Sequence, residues 1–160
     1  MKKIYDLDNL SDNEVIELIE YEKNPTDPLK YNDIYNQIVT TFLPQSKTFK
    51  CSVKDNSRNI VYKFNAHTTP ISTNFSIGLI IDKNKYHLLR FDFGKDLRHI
   101  NDFGTDHEKT IIGSHVHIYA PSGKYIPKNV IPISSYKDFK NLKSIVEVMD
   151  KFVSYVNIKV

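Results

Sequence analysis

Thr48-Phe49-Lys50-Cys51-Ser52-Val53-Lys54-Asp55-Asn56-Ser57-Arg58-Asn59-Ile60-Val61-Tyr62-Lys63-Phe64-Asn65-Ala66 alternates apolar and polar residues on both sides of a polar break. Side chains two apart on a strand share a face, so Phe49, Cys51 and Val53 form one apolar row and Ile60, Tyr62, Phe64 and Ala66 another. Asp55-Asn56-Ser57-Arg58 supplies the turn, and the pair reads as an antiparallel hairpin. The same period continues in Phe75-Ile77-Leu79-Ile81 and, after the turn Asp82-Lys83-Asn84-Lys85, in Tyr86 to Phe93.

Upstream the period is 3.6. Ser11-Asp12-Asn13-Glu14 is a capping box opening a helix over about Asp12 to Tyr21, with Val15, Leu18, Ile19 and Glu22 at helical spacing. The prolines of Asn24-Pro25-Thr26-Asp27-Pro28 end it. A second helix is expected over Asn32 to Phe42, burying Ile34, Ile38, Val39 and Phe42 and stopped by Pro44. Downstream, Gly94 to Thr110 has no apolar period and is expected as a long loop, followed by a fifth strand over Ile111 to Ala120. Ile131 to Ile133, with Pro127 and Pro132 interrupting, adds a short edge strand. Ser135-Tyr136-Lys137-Asp138 is expected to cap a final helix carrying Phe139, Leu142, Ile145, Val146, Met149, Phe152, Val153 and Val156 on one stripe. The expected architecture is one α+β domain over residues 1–160: about five antiparallel strands, two N-terminal helices, and a long C-terminal helix packed on one sheet face.

Composition bounds the function classes. A chain of 160 residues, 40% hydrophobic and 26% charged, can bury a core without disulfides, and no apolar run approaches the roughly 20 residues of a membrane span. Met1 to Asp8 lacks the apolar run of a secretory signal, so a cytoplasmic location is expected. Cys51 sits in an apolar strand row and reads as a buried small hydrophobe. The net charge of +3, from 22 basic and 19 acidic residues, neither indicates direct nucleic-acid binding nor fits an acidic DNA mimic. Lysine-, asparagine-, isoleucine- and tyrosine-rich composition is that of an AT-rich genome.

Four of the six histidines fall after Arg90 and before Ala120. Alternation puts Arg90 and Asp92 on one face of their strand and His115, His117 and Tyr119 on one face of theirs, with Ile112, Val116 and Ile118 toward the core. His115 and His117 stand about 6 to 7 Å apart on such a strand. Two imidazoles at that spacing reach one metal if Asp92, His99 or His107 supplies a third ligand. Beside an arginine they can instead hold a phosphate and act as acid and base. Arg90 is one of only three arginines and the better candidate for bidentate anion binding; Arg98 stands at the loop entrance. His67 and His87 read as ordinary surface residues. Neither a Gly-rich phosphate loop, nor a nucleophile elbow, nor a Cys-x-x-Cys pair occurs, and no cofactor or metal is expected.

Leu89-Arg90-Phe91-Asp92, His99-Ile100-Asn101-Asp102-Phe103-Gly104 and Gly113-Ser114-His115-Val116-His117-Ile118-Tyr119 resemble the motifs of an uncharacterised family of small bacterial and phage proteins. The insert Thr105 to Thr110 is longer and more charged than in that pattern. Size, composition and layout also resemble, in kind, phage-encoded type II anti-CRISPR proteins, the small inhibitors of Cas9. That resemblance implies an accessory protein that binds and inhibits a host defence nuclease such as Cas9, with Arg90, Asp92, Arg98, His99, Asn101, Asp102, His115, His117 and Tyr119 as binding residues. The alternative is a histidine-dependent phosphodiesterase of RNase type, with Arg90 on the phosphate and His115 and His117 as acid and base.

Overall fold

The computed structural model describes residues 3–40, 44–122 and 128–160. The elements are α1 (Asp12–Glu20), β1 (Asn24–Pro25), α2 (Pro28–Thr40), β2 (Lys47–Asp55), β3 (Ile60–Thr68), β4 (Phe75–Ile81), β5 (His87–Phe93), β6 (Arg98–Asn101), β7 (Lys109–Ile112), β8 (His115–Ala120), β9 (Ile131–Pro132) and α3 (Ile145–Tyr155). The three helices lie on one side of a seven-stranded antiparallel sheet of order β1-β2-β3-β4-β5-β8-β9, and β6 and β7 form a separate hairpin. The sheet thus has seven strands rather than about five. Beyond the five, β9 is the short edge strand expected at Ile131 to Ile133, and β1 is a two-residue edge pairing too short to show a period.

The apolar rows behave as their alternation requires. Phe49, Cys51, Val53, Tyr62, Phe64, Ile77, Leu79, Ile81, Leu89, Phe91 and Val116 are buried on one face, against Leu18, Ile38, Val148, Met149 and Phe152 from the helices. Phe91 is the centre of this layer, 4.4 Å from the ring of Phe139 and 6.0 Å from that of Phe152. Burying a side chain of that size stabilises the fold by about 1.5–3 kcal/mol. Burial also pushes the Cys51 thiol up to about 11, out of the nucleophilic range.

Ser11 caps α1 as a full capping box with Glu14. The second helix begins at Pro28, four residues before the expected start: proline is suited to the first helical position, where its missing N–H has no partner to lose, and the Asp27 carboxylate accepts from Lys30 N at 3.1 Å. Phe42 and Pro127 lie outside the described residues. The last helix is shorter than expected. Its cap is Ser144, which accepts from Glu147 N, while Ile133–Ser135 is a single 3-10 turn and residues 136–142 make isolated turns. Ser144-Ile145-Val146-Glu147 is the stronger capping signal, with Glu147 reaching back to Lys143 N at 3.0 Å. Phe139 and Leu142 pack on the core from the turns, so their spacing did not require a helix.

The expected loop over Gly94 to Thr110 is partly structured, as β6 and the start of β7. The expected fifth strand is broken at Gly113, whose φ of +96° L side chains rarely adopt. Ile111 and Ile112 therefore belong to the hairpin, and Ile112 is exposed rather than in the core.

Candidate functional site

Register places the chemistry on the sheet face away from the helices. Arg90 pairs with His117 and Asp92 with His115 across β5 and β8. A register shift between Leu79 and Ile80 carries His87 opposite Ile80, on the row next to Gly78 and Arg90. Gly78 is required there: a Cβ would lie 2.4 Å from the Leu89 carbonyl oxygen and 3.0 Å from Arg90 Cα. His87, expected at the surface, is buried, and its Nδ1 has no partner among the described residues. Burial, then the positive charge of Arg90, pulls its pKa down to about 4. Strand alternation alone puts His87 in the apolar row of Leu89 and Phe91; the shift, which lies between His87 and Arg90, moves it to the face of Arg90. His67 is exposed as expected, its Nδ1 2.9 Å from Thr48 Oγ1.

Asp92 is the hub. Arg90 donates to it through Nε at 2.7 Å and Nη2 at 2.8 Å, and His117 Nε2 lies 3.1 Å and His115 Nε2 3.6 Å from Oδ2. Burial opposes its charge, but the hydrogen bonds from His115, His117 and Arg90 outweigh burial and hold the carboxyl far below the usual range. The third imidazole comes from the hairpin. The ring of His99 on β6 lies 5.9 Å from that of His115 and 5.6 Å from that of His117, which are 5.0 Å from each other.

Acceptors fix the tautomers. His115 Nδ1 lies 2.9 Å from the Gly113 carbonyl, which can only accept, so Nδ1 carries a proton. In a neutral ring its Nε2 would then face the Asp92 carboxylate with a lone pair; an imidazolium removes that conflict. Burial lowers the pKa of His115, but the bonds to Asp92 and Gly113 leave it raised. His99 Nε2 donates to the Lys128 carbonyl at 2.9 Å, which leaves its Nδ1 as an acceptor, and burial lowers its pKa. His117 donates from Nε2 to Asp92 and keeps a buried Nδ1 with no partner among the described residues. With His115 protonated, Arg90 and His115 together outnumber Asp92 in charge.

The remaining predicted residues fall into other roles. Asn101 exchanges two bonds of 2.8 Å with the Val130 backbone, and Asp102 pairs with Asn129 through N–Oδ1 and Oδ1–Nδ2 contacts of 2.9 Å. With His99 they fasten β6 to residues 128–130. Arg98, on β6, and His107, in the hairpin turn, are exposed. Tyr119 leaves the histidine row: its φ of +46° breaks the alternation, and its hydroxyl donates to the Leu7 carbonyl at 2.7 Å and accepts from Leu10 N at 3.2 Å. Ligand atoms of Asp92, His115 and His117 all lie within 4.8 Å of one another, so these three could hold a metal ion.

Among the described residues no helix is long and apolar enough to cross a membrane. A family described as "Family of unknown function (DUF6978)" matches residues 10–158. No curated protein and no solved structure matches.

Proposed function

The chain belongs to this family of unknown function, and from that premise we propose that it cleaves phosphodiester bonds in RNA by histidine acid–base catalysis. One observation carries the reading: His115 has acceptors against both ring nitrogens, while His99, one ring away, has a carbonyl against only Nε2. A ring that favours its proton beside one that favours its lone pair is the arrangement acid–base catalysis needs.

In this reading His99 Nδ1 takes the proton of a ribose 2′-hydroxyl, O2′ forms a bond to phosphorus, the P–O5′ bond breaks, and His115, whose Nδ1 proton stays with the Gly113 carbonyl, gives its Nε2 proton to O5′. The products are a 2′,3′-cyclic phosphate and a 5′-hydroxyl. The substrate supplies its own nucleophile, so the protein needs none. Arg90 spends Nε and Nη2 on Asp92, and in this reading Nη1 is the group that meets the developing phosphorane charge. Asp92 is a positioning residue that holds Arg90, His115 and His117 at one point.

The expectation of RNase-type chemistry from Arg90, His115 and His117 is thereby modified: His99 enters as base. The inhibitor reading, binding of a nuclease such as Cas9, rests on resemblance in kind, and neither the family match nor the site geometry adds to it. A metal centre is a second reading with its own observation, the convergence of Asp92, His115 and His117. Against it, Arg90 already occupies both oxygens of Asp92.

The test is incubation of purified protein with a ribodinucleotide, chromatography of the products and a pH profile. A cyclic phosphate product, a bell-shaped profile, and loss of roughly 100-fold or more in His99→Ala and His115→Ala are expected. Cleavage abolished by chelator and restored by a divalent ion would favour the metal reading. Absence of cleavage together with inhibition of Cas9 by both wild type and His115→Ala would replace catalysis with binding.

A further inference from the structure

The sheet face that carries the histidines continues well beyond them. Register gives two unbroken rows, Lys50–Asn65–Gly78–Arg90–His117 and Thr48–His67–Ser76–Asp92–His115. From β2 to β8 each row crosses four strand-to-strand steps, a span of about 19 Å at the usual spacing of ~4.8 Å. That is the length of several nucleotides rather than one.

Its chemistry is one-sided. Lys50 and Lys63, with Lys54 at the far edge, share the face with Arg90, and Asp92, already neutralised, is the sole acid on these rows. The balanced net charge, from which no nucleic-acid contact is expected, averages over faces that differ. At the centre β4 contributes the short side chain of Ser76 and, closely overlain by the Arg90 backbone, Gly78. Asn65 stands beside it, its side-chain oxygen buried and without a partner among the described residues. That acceptor suits a ribose hydroxyl or a base N–H. The rows carry no Phe, Tyr or Trp, so affinity must come from phosphates more than from stacking.

We infer that this face, from Lys50 and Lys63 past Asn65 to Arg90, is a track for single-stranded RNA that delivers one phosphate to the imidazoles. This rests on the phosphodiester reading and names its substrate class: a polymer, read by backbone charge with little sequence preference.

The experiment measures fluorescence anisotropy of full-length protein with labelled 2′-O-methyl RNA, which cannot be cleaved, at about 12 nucleotides and as a dinucleotide. The longer probe should bind at least ~10-fold more tightly, and its log–log salt slope should fall by about 1.4 in Lys50→Glu/Lys63→Glu, near 0.7 per lost phosphate contact. Lys50→Gln/Lys63→Gln, gentler to the fold, should move in the same direction, and Lys151→Glu on α3 should leave binding unchanged. Equal affinity for both probes, or a slope untouched by either double substitution, would overturn the track. Length-independent cleavage of the dinucleotide would then leave catalysis standing without it. Tight, length-dependent binding with no cleavage of unmodified RNA would do the reverse.

Discussion

Arg90 and Asp92, separated by one residue on β5, form a bidentate pair with contacts of 2.7 and 2.8 Å, and Asp92 Oδ2 is also the atom toward which both His115 and His117 point. One carboxylate thereby sets the position of three cationic or ionisable groups. Removing its charge while keeping its shape is the most informative single change. In Asp92→Asn the His115 pKa should fall below its ordinary value, because burial is then opposed by less than the full hydrogen-bond set. NMR titration of the His115 ring reads this directly. Unfolding free energy should drop by about 1–3 kcal/mol, since Arg90 is left half-buried beside a neutral amide.

His87 makes stability depend on acid. Its folded pKa of about 4 lies below the ordinary value of 6.5, so the unfolded chain binds the extra proton between these values. Stability is therefore full above about pH 6.5 and declines as pH falls toward 4, by roughly 3 kcal/mol for this group. His115 has the opposite sign: its raised pKa contributes below about pH 6.5 and is lost as pH rises through the folded value. Urea midpoints of wild type and His87→Leu between pH 4 and 7 separate the two. The variant should show a flatter decline toward acid, and an unchanged slope would mean that His87 charges freely in the fold.

Lys23 ties the two helix ends together. It is fully buried, and its ammonium donates to the carbonyls of Ile19 at 3.0 Å, Tyr21 at 2.7 Å and Val156 at 2.9 Å, beside the ring of Tyr62 at 5.5 Å. Lys23→Met fills much of the same space but leaves three carbonyls without their donor. A loss of at least ~3 kcal/mol is expected in chemical denaturation. A loss below about 1 kcal/mol would show that water replaces the ammonium at no great cost.

The start of α3 is testable through its cap. Ser144→Ala should cost about 1 kcal/mol by removing the acceptor for Glu147 N, whereas Ser135→Ala should change stability by less than about 0.5 kcal/mol. Thermal unfolding of the two single variants ranks them. The reverse order would place the helix start where the apolar stripe begins.

Much of the sheet was legible because alternation is enforced residue by residue. Phe49, Cys51 and Val53, and Tyr62, Phe64 and Ala66, are buried as their period dictates, and Arg90 and Asp92 share a face for the same reason. What escaped were features that depend on an interruption. The shift near Ile80 moved His87 from the parity of Leu89 and Phe91 to the face of Arg90, the left-handed backbone at Tyr119 removed that side chain from the histidine row, and Gly113 divided one expected strand into two. The final helix was over-extended because an apolar stripe fits a run of turns as well as a helix, while the Ser144–Glu147 box that marks its start is only a local signal.

The sequence by itself determined which strands alternate, which face of each is apolar, and that an arginine, a carboxylate and two histidines must lie on polar faces, because strand period is a local property of the chain. Only the tertiary structure decided that β5 and β8 are neighbours, that Arg90 stands opposite His117 and Asp92 opposite His115, and that the hairpin brings His99 to them. Strand order and register arise from contacts among residues far apart in the chain. No local pattern encodes them, so the convergence of two imidazoles on one carboxylate, with a third ring beside them, exists only in the folded sheet.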